Sequence, residues 1–283
     1  MKSIKLLIII LISIGSGTYL KAQGKLQIKG ELPKTEYIVG ERIDLLLVIK
    51  NIGNSSIKEN LSNSVDIKLY DNNGKALKYY GPSGSAFSPN KNEYKINEEW
   101  CSIILLNDCF GKQLTGRSQT LYYDLGEYTI KIIFKPPHLK ESAESISFLV
   151  NNPKGDESVV LKRFLQICNQ QSKSFDFVND LYSLHVSYPN SVYSPTLLDI
   201  IGANYLFSLN DEVKGESIYQ ELLDKYPWSP LGRGALALTL RKMSSKEERE
   251  NYINKLLPGS KNYPMHRVLE NLLKELKNNT WKK

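Results

Sequence analysis

Residues 198–205 read Leu-Asp-Ile-Ile-Gly-Ala-Asn-Tyr, and this stretch decides the fold of the second half of the chain. Its spacing, leucine, then isoleucine three residues on and tyrosine seven residues on, recurs in four segments that begin 37, 35 and 36 residues apart, at Leu161, Leu198, Arg233 and Leu269. A Tyr-Pro pair follows each of the first three segments, at Tyr188, Tyr226 and Tyr263. One apolar helical face per period of this length is typical of stacked helical hairpins.

The ends of the helices are marked by capping signals. Ser194-Pro195 and Ser229-Pro230 each predict a helix start, with the serine oxygen capping free amides and proline in the first turn. Ser244 and Ser245 lie three residues before Glu247 and Glu248, and both pairs have the spacing of a capping box. Gly202 is expected to let a partner helix approach closely, because glycine lacks a side chain. These signals divide the second half into hairpins.

The second hairpin resembles the tetratricopeptide repeat. The residues that carry the resemblance, with a turn one residue longer, are Leu198, Ile201, Gly202, Tyr205, Gly215, Tyr219, Leu222 and Pro227. The resemblance covers residues 158–278, as three hairpins and a final helix that would close the stack. The third hairpin departs from the pattern, because Arg233 stands in place of an apolar residue. A helical repeat array of this kind implies protein binding.

The first half shows short runs of β-forming residues separated by turn residues. Six runs predict strands: Leu26–Leu32, Ile43–Lys50, Val65–Tyr70, Ser102–Leu106, Tyr128–Phe134 and Ile146–Val150. Asp71-Asn72-Asn73-Gly74 predicts a tight hairpin turn. That many short strands at this spacing predict an antiparallel β-sandwich over residues 24–152. The polar run at 153–157 is expected to link it to the helices at 158–283.

One local motif sharpens the fold assignment. Asp124-x-Gly126-x-Tyr128 has the form of a tyrosine corner, in which the tyrosine hydroxyl bonds back to the preceding loop. Together with Tyr37-x-Val39-Gly40-Glu41 before a strand, this motif resembles the immunoglobulin-like domains of bacterial envelope proteins, over residues 26–151. The fold class expected is therefore all-β followed by all-α. Such sandwiches serve many functions, so the resemblance implies no activity.

Residues 1–23 have the features of a secretory signal peptide. Lys2 and Lys5 precede the apolar run 6–14, and small residues lead to an expected cleavage near Ala22 or Gln23. The expected location is periplasmic or secreted, with a retained anchor as the alternative and as the only expected membrane attachment. Removing these residues takes away three lysines and no acid, which lowers the formal net charge from +7 to +4. Mixed charge of this size does not favour a nucleic-acid partner.

No catalytic, metal or cofactor motif is recognisable. The histidines, His138, His185 and His266, fall in different predicted elements, so the chain is expected not to be an enzyme and to need no cofactor. A hydrolase with a cleft at the domain junction, using His138 or His185, stays as a third hypothesis. A disulfide between Cys101 and Cys109 is possible by spacing, and Cys168 reads as a buried thiol.

The primary functional hypothesis is an exported scaffold that binds other envelope proteins or extended peptides. The expected groove lies on the first helix of each hairpin, one step beyond the core stripe, and the candidate residues are Lys162, Gln166, Asn169, Asp199, Leu206 and Arg241. Alternatively, Leu206 and Leu238 only pack on the β-sandwich or on a loop. A second hypothesis makes the β-sandwich a protease-inhibitor-like or ligand-binding module, with the helices as a spacer.

Overall fold

The computed structural model describes residues 25–58, 61, 64–80, 93–110, 112–113, 121–136, 138–169 and 175–279. Over these residues the first half is built from β-sheets and the second half from helices. The two-part β-plus-α architecture expected from the sequence is confirmed. The predicted signal peptide, residues 1–23, lies outside the described residues.

The β region contains nine strands within the described ranges. They are β1 Leu26–Glu31, β2 Glu36–Ile38, β3 Asp44–Asn51, β4 Val65–Asp71, β5 Glu99–Leu105, β6 Lys112–Gln113, β7 Leu121–Tyr122, β8 Gly126–Phe134 and β9 Ser142–Asn151. A short helix, α1 Leu106–Cys109, follows β5. One sheet has the order β1-β3-β5, a second has the order β2-β9-β8-β4, and β6 pairs with β7. All six predicted strands are present.

Both larger sheets contribute to one hydrophobic core. Leu45, Leu47 and Ile49 of β3 lie in this core with Ile130 and Ile132 of β8. These residues alternate along their strands, because successive side chains of a strand point to opposite faces. The core is therefore shared between the two sheets.

Two details of the strands bear on the predictions. The hydroxyl of Tyr128 donates a hydrogen bond to the carbonyl oxygen of Asp124 over 3.0 Å, as the tyrosine-corner motif predicts. β2 pairs with β9 in parallel, so the expectation of a purely antiparallel region is wrong at this pair. β2 has only three residues and lies at the edge of its sheet. It is followed in the chain by six other strands before its parallel partner β9, so the two strands are not joined by a short crossover helix.

The helical region contains seven further α-helices within the described ranges. They are α2 Asp156–Asn169, α3 Phe175–Ser187, α4 Ser194–Phe207, α5 Glu212–Lys225, α6 Arg233–Lys242, α7 Lys246–Ser260 and α8 Pro264–Lys277, with a 3₁₀ turn at Pro230–Gly232. α4 and α5 pack closely as a hairpin. A Cβ on Gly202 would lie 3.0 Å from the ring of Tyr219, so glycine at this position allows the close packing that was expected.

The last three helices cover the three-stranded sheet. Leu46 and Val48 of β3 and Ile103 of β5 share a core with α6, α7 and α8. Strand β3 is thus buried on both faces, which explains why its apolar run does not alternate with polar residues. Arg233 donates a hydrogen bond to the carbonyl oxygen of Ile103, so the residue that breaks the helical repeat pattern meets the sheet.

The capping predictions hold in one of three places. Ser245 accepts a hydrogen bond from the amide of Glu248, and Glu248 completes the capping box of α7. Ser194 lies inside α4, and its hydroxyl donates to the carbonyl oxygen of Tyr188, so its predicted capping role is wrong. Ser229 precedes the 3₁₀ turn and makes no capping bond with its side chain.

The three cysteines, Cys101, Cys109 and Cys168, are free thiols. Cys101 packs against the core under the helices, whereas Cys109 lies in the core between the sheets. A disulfide between them is therefore not formed, because β3 and its neighbours separate the two cores.

Candidate functional site

A groove opens between α5, α6 and α7. It has an open volume of about 1520 Å³ and is also lined by the end of α4. Helix α6 lies at its base, and α5 and α7 form its walls. A second cavity, beside β4, is smaller, with an open volume of about 420 Å³. The size of the groove and its exposed apolar lining make it the candidate functional site.

Three large apolar side chains in the groove are exposed to solvent. Phe207 is 79% exposed, Val213 is 81% exposed and Leu238 is 47% exposed. Leu206, Met243 and Tyr252 continue the apolar lining and are half-buried. Exposed apolar side chains gathered in one groove are a common feature of protein-interaction sites on folded proteins.

The turn between α4 and α5 separates Phe207, at the end of α4, from Val213, in the first turn of α5, and both line the groove. Asn210 takes a positive φ of 54°, a left-handed conformation that asparagine tolerates. The carboxylate of Asp211 then caps α5 by accepting a hydrogen bond from the amide of Lys214 over 3.1 Å. The amide of Asp211 also donates to the carbonyl oxygen of Tyr205, which ties the turn to α4.

Polar pairs join the three helices across the groove. The ammonium group of Lys242 in α6 pairs with the carboxylate of Glu216 in α5, which lowers the pKa of Glu216. Lys255 of α7 pairs with Asp224 of α5 over 2.7 Å. The amide of Gln220 in α5 donates to the hydroxyl of Tyr252 in α7 over 3.0 Å. These pairs hold the walls at a fixed separation.

The groove is acidic at one end. The ammonium group of Lys242 pairs with the carboxylate of Glu216. Two residues later in the chain, the hydroxyl of Ser244 donates a hydrogen bond to the carboxylate of Glu248. Glu216 and Glu248 therefore lie at the same end of the groove. Glu212 is one turn before Glu216 on α5 and also lines the groove. Among the described residues, Glu212 and Glu248 are in no ion pair. Three carboxylates and one ammonium group thus give this end a formal charge of −2.

The groove exists because α7 leaves α6 to pack on α8. Helices α7 and α8 are in close contact along their length. Where α6 and α7 do meet, the buried guanidinium of Arg249 donates to the carbonyl oxygens of Leu240, over 2.9 Å, and Met243, over 2.5 Å. These bonds satisfy the C-terminal carbonyls of α6. The space between α5 and α7 is thereby left open apart from the side-chain pairs Gln220–Tyr252 and Asp224–Lys255 that bridge it.

Five of the six residues predicted from sequence to bind a partner lie in three places. Leu206 lines the groove. Arg241 is exposed on α6 next to the lining residue Lys242, but does not itself line the groove. Lys162, Gln166 and Asn169 are exposed on α2, which does not contribute to the groove.

Asp199 is directed toward the interior of the molecule. Its carboxylate accepts a hydrogen bond from the hydroxyl of Tyr219 over 3.4 Å. Burial raises its pKa to about 6, and the nearby guanidinium of Arg42, from the β region, works against that rise. Arg42 forms a two-point ion pair with Asp108, with both distances at 2.9 Å. Asp199 therefore faces charges of the β region and is not part of the groove.

Sequence reasoning missed Phe207 and Val213, the most exposed apolar residues of the site. Both lie outside the repeated apolar stripe, beside the α4–α5 turn. The sequence signal that could have identified them is an apolar residue on each side of a turn, out of register with the apolar stripe of the core. The alternative in which Leu238 packs internally does not fit its exposure of 47%.

The histidines and acids do not assemble into a second site. His185 is fully buried, and its Nε2 lies 3.1 Å from the carboxylate of Glu221; burial lowers its pKa. His138 is exposed in a loop. In the described ranges, no group of three or more His, Cys, Asp or Glu residues could hold a metal ion. None of the helices described is both long and apolar enough to cross a membrane.

No protein-family model matches this chain, and no curated protein matches it in sequence. Among solved structures, it is similar to the CARDB domain of a Pyrococcus furiosus protein in complex with di-metal ions. The identity is 12%, the match covers 47% of this chain and 97% of that one, and the TM-score is 0.29.

Two other solved structures are similar over about half of this chain. The sporulation control protein Spo0M from Bacillus subtilis has 12% identity, 51% coverage of this chain, 56% of its own and a TM-score of 0.29. A β-glucosidase from Listeria innocua in complex with gluconolactone has 14% identity, 46% coverage, 16% of its own length and a TM-score of 0.26. TM-scores this low carry no argument about fold or function.

Proposed function

We propose that this protein is an exported, non-catalytic cell-envelope protein that binds other proteins through the groove between α5, α6 and α7. The observation that carries the proposal is the exposure of Phe207, Val213 and Leu238 in one cavity. Leaving such side chains in water is unfavourable by roughly 25 cal/mol per Å² of apolar surface, so covering them with a partner is a source of binding free energy.

We infer the fold of each half from its core and its hydrogen bonds. The core shared by the two sheets and the hydrogen bond from Tyr128 to Asp124 support an immunoglobulin-like sandwich over residues 26–151. The close α4–α5 hairpin, with Tyr219 over Gly202, supports a tetratricopeptide-like array over residues 158–278. In that array the third hairpin is opened by the pairing of α7 with α8.

The sandwich-only hypothesis, with the helices as a spacer, has less support. Leu46, Val48 and Ile103 share a core with α6, α7 and α8, so the helices cover the sheet and do not merely extend it. The hydrolase hypothesis also has less support, because His185 is fully buried and paired with Glu221.

Cross-linking in cell envelopes tests the binding role. We expect Phe207→Asp and Val213→Asp each to remove the cross-linked partner bands of the tagged full chain, because a carboxylate in the groove opposes apolar contact. Val186→Asp is the matched control, since Val186 is 59% exposed on α3, outside the groove. Partner bands that are equally strong in the groove variants and the wild type would count against the proposal.

Export is tested on the same material. Mass spectrometry of the N-terminal peptide of the envelope-purified chain identifies its first residue. We expect the chain to begin after Ala22 or Gln23, as the signal-peptide pattern predicts. An intact residue 1 in the envelope fraction would instead indicate a retained anchor.

A further inference from the structure

The size of the groove favours a macromolecular ligand over a small molecule. Its volume of about 1520 Å³ exceeds the roughly 300–1,000 Å³ of ordinary small-molecule pockets. The lining residues of α5 run from Glu212 to Gln220, and those of α7 run from Glu248 to Lys255. At 1.5 Å rise per residue, the walls are about 12 Å and about 10.5 Å long, the length of about two helical turns.

The lining of the groove favours a helical ligand over an extended one. The walls and base are helices, and no described strand contributes to them. An extended peptide that adds to a sheet satisfies its backbone amides and carbonyls at the sheet edge, and no described strand offers such an edge in the groove, whereas a helix satisfies these groups internally. An amphipathic helix can therefore lay one apolar face on Phe207, Val213 and Leu238 without leaving backbone groups unpaired.

The charge of the groove selects among such helices. Among the described residues that line the end with Glu212, Glu216 and Glu248, Lys242 is the one cation, whereas at the other end Lys255 is already paired with Asp224. A ligand with an acidic residue at the first end would meet like charge. A ligand with a basic residue there would gain an attraction that salt weakens.

We propose that the groove takes a two-turn amphipathic helix with a lysine or arginine at the end that meets Glu212 and Glu248. This inference rests on the binding role proposed above and adds the chemistry of the partner. The partner is thus a protein segment that is apolar on one helical face and basic at one end of that face.

Three synthetic helical peptides test the inference. They share one apolar face of leucine and alanine and differ only at one end, which carries two lysines, two glutamines or two glutamates. Each is labelled with fluorescein, and its binding to the chain purified from cell envelopes is followed by fluorescence anisotropy. We expect the lysine peptide to bind about fivefold more tightly than the glutamine peptide at low salt, the size that two exposed ion pairs give together. The glutamate peptide is expected to bind most weakly.

A charge-removing variant assigns that preference to the acidic end. In Glu212→Gln/Glu248→Gln, we expect the preference for the lysine peptide to fall about fivefold, to near none. Glutamine can keep the capping box of α7, so the fold is retained. Glu127→Gln/Glu141→Gln removes the same charge from the β region, where both residues are exposed, and is expected to leave the preference unchanged.

The outcomes separate this inference from the proposed function. Equal binding of the three peptides, or an unchanged preference in Glu212→Gln/Glu248→Gln, overturns the inference. If Val213→Asp still weakens all three peptides in that case, the groove remains a binding site and the proposed function stands. If Val213→Asp changes nothing, both fail.

Discussion

The hydroxyl of Tyr193, at the start of α4, donates a hydrogen bond of 2.5 Å to the backbone carbonyl oxygen of Val39, in the turn after β2. The two residues are 154 positions apart in the chain. Tyr193 is only 1% exposed, and its ring also packs near Gly40, whose φ is +81°. The bond joins the two halves separately from the contact of α8 with the sheet.

Removing that hydroxyl is expected to destabilise the whole chain. Tyr193→Phe leaves the carbonyl of Val39 without its partner and should lower the free energy of unfolding by about 1–2 kcal/mol. Urea denaturation measures the change. Tyr182→Phe is the control, because the hydroxyl of Tyr182 is at the surface, 3.4 Å from Glu221, and its loss should cost under about 0.5 kcal/mol. Equal effects of the two changes would contradict this reading.

Two glycines in helices are expected to respond oppositely to alanine. A Cβ on Gly202 would lie 3.0–3.2 Å from the ring of Tyr219, so Gly202→Ala should lower the free energy of unfolding by about 1–3 kcal/mol. A Cβ on Gly234 in α6 would meet nothing within 4 Å. Gly234→Ala should therefore stabilise the protein by about 0.5–1 kcal/mol, because alanine is the better helix former. Thermal denaturation compares them, and stabilisation by Gly202→Ala would show that the ring moves aside freely.

The shared core predicts that the two halves unfold together. Leu46→Ala should lower the free energy of unfolding by about 2–4 kcal/mol, because Leu46 is buried between the sheet and the helices. Leu149→Ala, at a leucine that is 36% exposed on β9, should cost under about 1 kcal/mol. Far-ultraviolet circular dichroism and tryptophan fluorescence should give one coincident urea transition that Leu46→Ala shifts as a whole. Two separate transitions, with only one of them shifted, would refute the shared core.

Asp44 predicts a pH dependence of stability. Burial raises its pKa from an ordinary 3.8 to about 7; Arg42 opposes the rise, and Asp108 and Glu41 add to it. The folded state keeps this proton up to about pH 7, while the unfolded state loses it near pH 4. The contribution of Asp44 is therefore most favourable below pH 4 and is lost as the pH rises toward 7.

Asp44→Asn should remove that pH dependence. Relative to the wild type, the variant should gain stability between pH 4 and pH 8, by up to about 4 kcal/mol, since each pKa unit is worth about 1.4 kcal/mol. Urea denaturation at both pH values measures the gain. Asp66→Asn, at a carboxylate that is exposed on β4, should show no such gain. The reading is wrong if the difference between Asp44→Asn and wild type is the same at both pH values.

The sequence by itself determined the local elements and their order. Alternation and turn residues located the strands, the apolar stripes located the helices, and the tyrosine-corner and Ser245 capping motifs were found where predicted. These features depend on interactions between residues close together in the chain, so they can be predicted from the sequence. Ser194 and Ser229 were misjudged, because a serine before proline has other partners available in three dimensions.

Only the tertiary structure decided which faces are covered and which remain open. The packing of α8 on β3 and β5, the burial of both faces of β3 and the inward direction of Asp199 arise from residues more than a hundred positions apart. The open groove also depends on how helices pack, because α7 pairs with α8 and leaves α6. Apolar periodicity predicts that one face of an element is buried, but it does not predict which other element covers that face. The reason is that the hydrophobic effect is non-directional.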